Sequence, residues 1–98
     1  MIQSSDVGVR LQSCFKTCVC GNSFIDCGTA IHLDSGGKQS VITGNMCVRG
    51  NGIASDYASG QYTIRVLGDN NLIAGNLILG KNYTDSGTGN TFADNKYQ

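Results

Sequence analysis

The sequence has no glutamate and no tryptophan, and its seven acidic residues are all aspartate. With Gly and Asn filling 23 of 98 positions, sustained helix is disfavoured and turns between short strands are favoured. Seven Lys/Arg balance the seven Asp without forming a basic cluster, so the electrostatic footprint of a nucleic-acid binder is missing. No apolar run approaches the roughly eighteen residues of a membrane-spanning helix. The N-terminus "MIQSSDVGVR" lacks the basic-then-apolar layout of a secretory signal. Neither nucleic acid nor a membrane is an expected partner. The five cysteines, at 14, 18, 20, 27 and 47, are an odd number and do not form a complete intrachain disulfide framework, which fits folding in a reduced compartment.

What is present is one small domain, all-β by composition, with one phrase written four times. "VCGN", "VITGN", "LIAGN" and "FADN" end on Asn22, Asn45, Asn76 and Asn95, separated by 23, 31 and 19 residues, within the range of stacked repeats. Three residues before each Asn stand Val19, Ile42, Ile73 and Phe92; two after stand Phe24, Cys47, Ile78 and Tyr97. Between the phrases, "AIHLDS" and "TIRVLG" alternate, placing Ile31/Leu33 and Ile64/Val66 on one face and His32 and Arg65 on the other. "SGGKQ", "GDNN" and "SGTGN" supply the Gly and Asn that accept positive φ at corners.

Strand, Asn corner, strand, loop, strand, and then one level up is the layout of a parallel β-helix. Over residues 14–98 the chain resembles the pectate-lyase-like family of right-handed parallel β-helices, closest in character to phage tailspike and tail-fibre segments. The resemblance implies about four rungs, with the side chains of Asn22, Asn45, Asn76 and Asn95 stacked in an amide ladder. A jelly roll or Ig-like sandwich is the rival reading of the same strand-and-turn signal. Residues 1–13 are left as an N-terminal arm or cap.

Alternation also assigns the outer face. Val41, Met46, Val48, Leu72, Leu77 and Leu79 point outward although all are apolar, and Lys96 and Gln98 take the same positions in the last copy. Either residues 1–13 fold back over this wall or it is the interface of a homotrimer, as fibrous viral β-helices of this kind imply.

The run from Asn45 to Ile64 is ten residues longer than that from Asn22 to Ile31, and the excess forms an inserted loop at 49–62. Its Asp56, Tyr57 and Tyr62 combine a carboxylate with aromatic faces and, with His32 and Arg65, are the candidate glycan-binding residues. His32 and Arg65 should stand on adjacent rungs with Asp34 and Asp69 near their ends, against a plain solvated strand face as the alternative. No adjacent Asp pair, Asp cluster for calcium or paired carboxylate motif occurs, so the catalytic signatures of the wider family are absent and no enzyme is expected. The spacing Cys-x3-Cys-x-Cys-x6-Cys matches no common zinc site, so neither a metal nor a cofactor is expected. "NYT" at 82–84 is formally a glycosylation sequon.

The function implied is a virion structural protein of a phage, assembled with other virion proteins: a tail-fibre or tailspike module presenting a surface to host polysaccharide. The alternatives are a small capsid decoration protein clamping neighbouring subunits, or a fragment of a polysaccharide lyase or hydrolase, the last on fold analogy alone.

Overall fold

A computed structural model describes residues 1–97; Gln98, assigned above to the outer face, lies outside the described residues. Short strands follow one another as β1 (Ile2–Gln3), β2 (Val7–Leu11), β3 (Cys18–Cys20), β4 (Ser23–Ile25), β5 (Thr29–Leu33), β6 (Val41–Thr43), β7 (Met46–Val48), β8 (Ile64–Val66), β9 (Leu72–Ala74), β10 (Leu77–Leu79), β11 (Thr84–Asp85), β12 (Thr91–Ala93) and β13 (Lys96–Tyr97). Among the described residues there is no α-helix, only a 3-10 turn at Ala54–Asp56.

The chain passes through three sheets in turn, ordered β1-β4-β7-β10-β13, β2-β5-β8-β11 and β3-β6-β9-β12. Strand pairing is parallel throughout. Parallel neighbours need a crossover, and here the crossover is the passage through the other two sheets, a β-helix-like architecture. The sandwich reading required antiparallel hairpins and does not hold.

Register fixes the interior. Val19, Ile42, Ile73 and Phe92 stack in one row, and Phe24, Cys47, Ile78 and Tyr97 in a second. Ile31/Ile64 and Leu33/Val66 fill the third side. Phe24, Ile31, Leu33, Ile42, Ile64, Ile73 and Ile78 are completely buried. Each contributes about 1.5–3 kcal/mol of transfer free energy.

Asn22, Asn45, Asn76 and Asn95 form the expected ladder. The backbone N–H groups of Asn22, Asn45 and Asn76 each donate to the side-chain oxygen of the next Asn at 3.0 Å. The side-chain amides of Asn45, Asn76 and Asn95 reach back to the carbonyls of Val19, Ile42 and Ile73. The residue before each Asn is left-handed: Gly21, Gly44 and Gly75 at φ 66, 67 and 67°, and Asp94 at 54°. Asp tolerates that region better than most residues with a side chain, which is why the fourth copy can read "DN". A second polar corner runs through Thr17, Ser40, Asn71 and Asn90. Thr17 N–H donates to Ser40 Oγ, and the backbone N–H groups of Ser40 and Asn71 donate to Asn71 Oδ1 and Asn90 Oδ1.

Within residues 1–13, expected as an arm or cap able to cover the outer wall, Ile2–Gln3 and Val7–Leu11 are strands in register. Ile2 pairs with Phe24, and Val9 and Leu11 pair with Ile31 and Leu33. The alternation of Val7, Val9 and Leu11 suits one buried face, and in-sheet pairing satisfies backbone groups that an arm would leave to water.

Candidate functional site

Three surfaces carry side chains with chemistry to offer. The first is the outer face of the β2-β5-β8-β11 sheet. Arg10, His32, Arg65 and Thr84 stand in one register row, so the imidazole lies between two guanidinium-bearing strands. Adjacent parallel strands are about 4.8 Å apart. Burial lowers the His32 pKa from its ordinary value, the Arg10 and Arg65 charges lower it further, and Asp34 opposes them. Its Nε2 is buried and has no hydrogen-bond partner. The expected carboxylates serve turns: Asp34 Oδ1 accepts the N–H groups of Ser13 (3.3 Å) and Gly36 (2.9 Å), and Asp69 Oδ1 accepts that of Thr88 (2.9 Å). A neutral imidazole flanked by two cations suits holding an anion. It has no base hydrogen-bonded to it of the kind a proton-transfer pair requires.

The second surface is the 49–62 loop. Its Tyr57 does not offer the open aromatic face expected of it. It is 9 % exposed, lies against Gly80, and its hydroxyl is 3.0 Å from that of Thr63. Burial raises the Tyr57 pKa, and the Thr63 hydrogen bond partly offsets this. The ring fills the gap between the loop and the coil, the usual fate of a large apolar body with one polar tip. Arg49 lies over the ring at 5.3 Å and donates to Gln61 Oε1. Asp56 is likewise engaged, its Oδ2 accepting the Asn51 N–H at 2.8 Å. Tyr62 is half-buried with the Lys81 ammonium 4.3 Å from its ring centre. The loop residues thus mainly fold the loop itself. No cleft opens between them and the His32/Arg65 pair among the described residues.

No family model, curated protein or solved structure matches this chain.

The third surface is the wall turning around the Asn ladder. Register aligns Cys18, Val41, Leu72 and Thr91 in one row and Cys20, Thr43, Ala74 and Ala93 beside it. Across the corner run Ser23, Met46, Leu77 and Lys96, then Ile25, Val48 and Leu79. The only charge in these rows is Lys96, on the last strand. Val41 and Leu72 are 36 % and 40 % exposed, and Met46, Val48, Leu77 and Leu79 are half-buried by their own neighbours. All six residues assigned to an interface therefore lie on two adjoining faces.

Sequence reasoning missed Arg10, which completes the basic row; its signal was the "VGVRL" alternation before the first repeat. Cys18 and Cys20, for which no pairing was expected, are joined in a disulfide, leaving Cys14, Cys27 and Cys47 free. Among the described residues no three His, Cys or Asp side chains are grouped to hold a metal ion.

Proposed function

We propose that the chain is a right-handed parallel β-helix of about four rungs, and that it works as a non-enzymatic, homotrimeric structural module of a phage virion, in the manner of a tail-fibre or tailspike segment. The observation that supports this reading is the wall: two adjoining sheet faces uncharged up to Lys96, with exposed Val41 and Leu72 in register and Met46, Val48, Leu77 and Leu79 beside them. Soluble monomers seldom leave a contiguous apolar surface to water, and one flanked by polar corners marks a place where another chain packs. Closing three such walls around one axis covers each without leaving a free end.

Host-surface attachment falls to the Arg10/His32/Arg65 row rather than to the loop, because Tyr57 is buried and Asp56 is engaged within the loop. Cations in a row favour an acidic surface glycan over a neutral one.

Multi-angle light scattering tests the assembly. Met46→Asp and Leu77→Asp should each convert the trimer to folded monomer, because each places a charge among desolvated apolar groups. A variant that keeps the parent mass while retaining its β-sheet circular dichroism would refute the wall as the interface.

A further inference from the structure

The bond between Cys18 and Cys20 has no evident structural task. It spans two residues within a single strand, and β3 is already held by its register with β6. A cross-link closing so short a loop removes very little freedom from the unfolded chain, since the entropic gain grows with loop length. Both residues are exposed, and β3 is the edge strand of its sheet. Exposed disulfides are generally the labile ones, whereas structural disulfides are sheltered. The other cysteines contrast with this. Cys27 and Cys47 are buried, burial pushes the Cys47 thiol up to about 12, and Cys14 is half-buried with its S–H donated to the Gln12 carbonyl at 3.3 Å.

We propose that Cys18–Cys20 is a dithiol/disulfide exchange site, open in the folded protein to low-molecular-weight monothiols of the glutathione class. An external thiolate attacks one sulfur of the pair, the Cys18–Cys20 bond breaks, and the departing cysteine thiolate takes up a proton. A second external thiolate then attacks the external sulfur of the mixed disulfide. This releases the oxidised monothiol and leaves the second cysteine as a thiolate that is protonated in turn. Two electrons pass from two monothiols to the protein, and the reverse sequence closes the bond. The site stands at the β3 end of the uncharged wall, in the row of Val41 and Leu72, so the test is run on the Met46→Asp chain as well as on the parent, and exchange in either folded chain supports the proposal.

The test equilibrates the folded chain in buffers spanning reduced to oxidised glutathione, quenches with acid, alkylates free thiols with N-ethylmaleimide and maps the adducts by mass spectrometry. Circular dichroism is followed in parallel. Two adducts should appear together on the peptide carrying Cys18 and Cys20 as the buffer becomes more reducing, with the spectrum unchanged. Cys27 and Cys47 should stay unlabelled until urea is added. In Cys18→Ser, Cys20 should form a mixed disulfide with one glutathione in the oxidising buffers. The proposal is overturned if the pair is alkylated in every buffer, if the bond opens only when urea unfolds the chain, or if Cys20 of the folded variant stays unmodified.

Discussion

Replacing Asn76 with alanine removes the middle of the amide ladder, and the cost follows from its bonds. Asn76 is 2 % exposed. Its Oδ1 accepts the backbone N–H and the side-chain amide of Asn45, both at 3.0 Å, and its Nδ2 donates to the Ile42 carbonyl at 3.1 Å and to Asn95 Oδ1 at 2.9 Å. Alanine leaves the buried Asn45 N–H without its acceptor and the Ile42 carbonyl without this donor. At about 1–3 kcal/mol for each buried group left unpaired, the loss is about 2–6 kcal/mol. Against a total stability of about 5–15 kcal/mol for a chain of this size, that is a large fraction. Asn22→Ala is the internal control. The Asn22 side chain donates to the Cys20 carbonyl at 3.0 Å and to Asn45 Oδ1 at 3.3 Å, it is half-exposed, and Asn45 Oδ1 keeps the Asn22 N–H after the change. Water can replace what is lost, and the cost should be under about 1 kcal/mol. Urea unfolding followed by circular dichroism, at one fixed chain concentration, reads both. A loss at Asn76 no greater than that at Asn22 would refute the view that the buried ladder holds the corner.

Two glycines should separate close packing from backbone conformation. A Cβ at Gly68 would overlap the Gly37 carbonyl oxygen and stand 2.8 Å from that of Asp34, so Gly68→Ala should cost about 4 kcal/mol or more. Gly21 has φ +66° with nothing within 4 Å of an added Cβ, so Gly21→Ala should cost only about 1 kcal/mol in the same urea assay. His32 should make stability depend on pH. Its folded pKa is held below 6.5, first by burial and then by Arg10 and Arg65, so below about 6.5 the unfolded chain binds more protons and stability falls as pH falls. His32→Gln should flatten the part of the decline between about pH 7 and pH 5 that exceeds the carboxylate background, and an identical pH profile in the variant would contradict this.

The interior was legible wherever the chain repeated itself. Asn22, Asn45, Asn76 and Asn95 sit at fixed offsets from apolar residues, and a period-two strand then leaves only one assignment for Ile42, Ile73, Cys47 and Ile78. The first strands were missed because β1 has no Asn two residues before Ile2 to align with the other copies. The second corner was missed because Thr17, Ser40, Asn71 and Asn90 share a role and not a residue type. Tyr57 could not be placed by period at all. A loop has none, and whether an aromatic there faces water or fills a gap depends on what the loop packs against. Cys18 and Cys20, two residues apart on β3, share one face by the same period of two, and the bond is what two sulfurs so placed can form.

In the proposed trimer the uncharged wall is covered by further copies of the same chain. Sedimentation equilibrium of the unaltered protein, over a wide range of concentrations, tests it most directly. A species of three times the 10.3 kDa mass of one chain is expected, dissociating only on dilution. A folded species of 10.3 kDa at every concentration would contradict it.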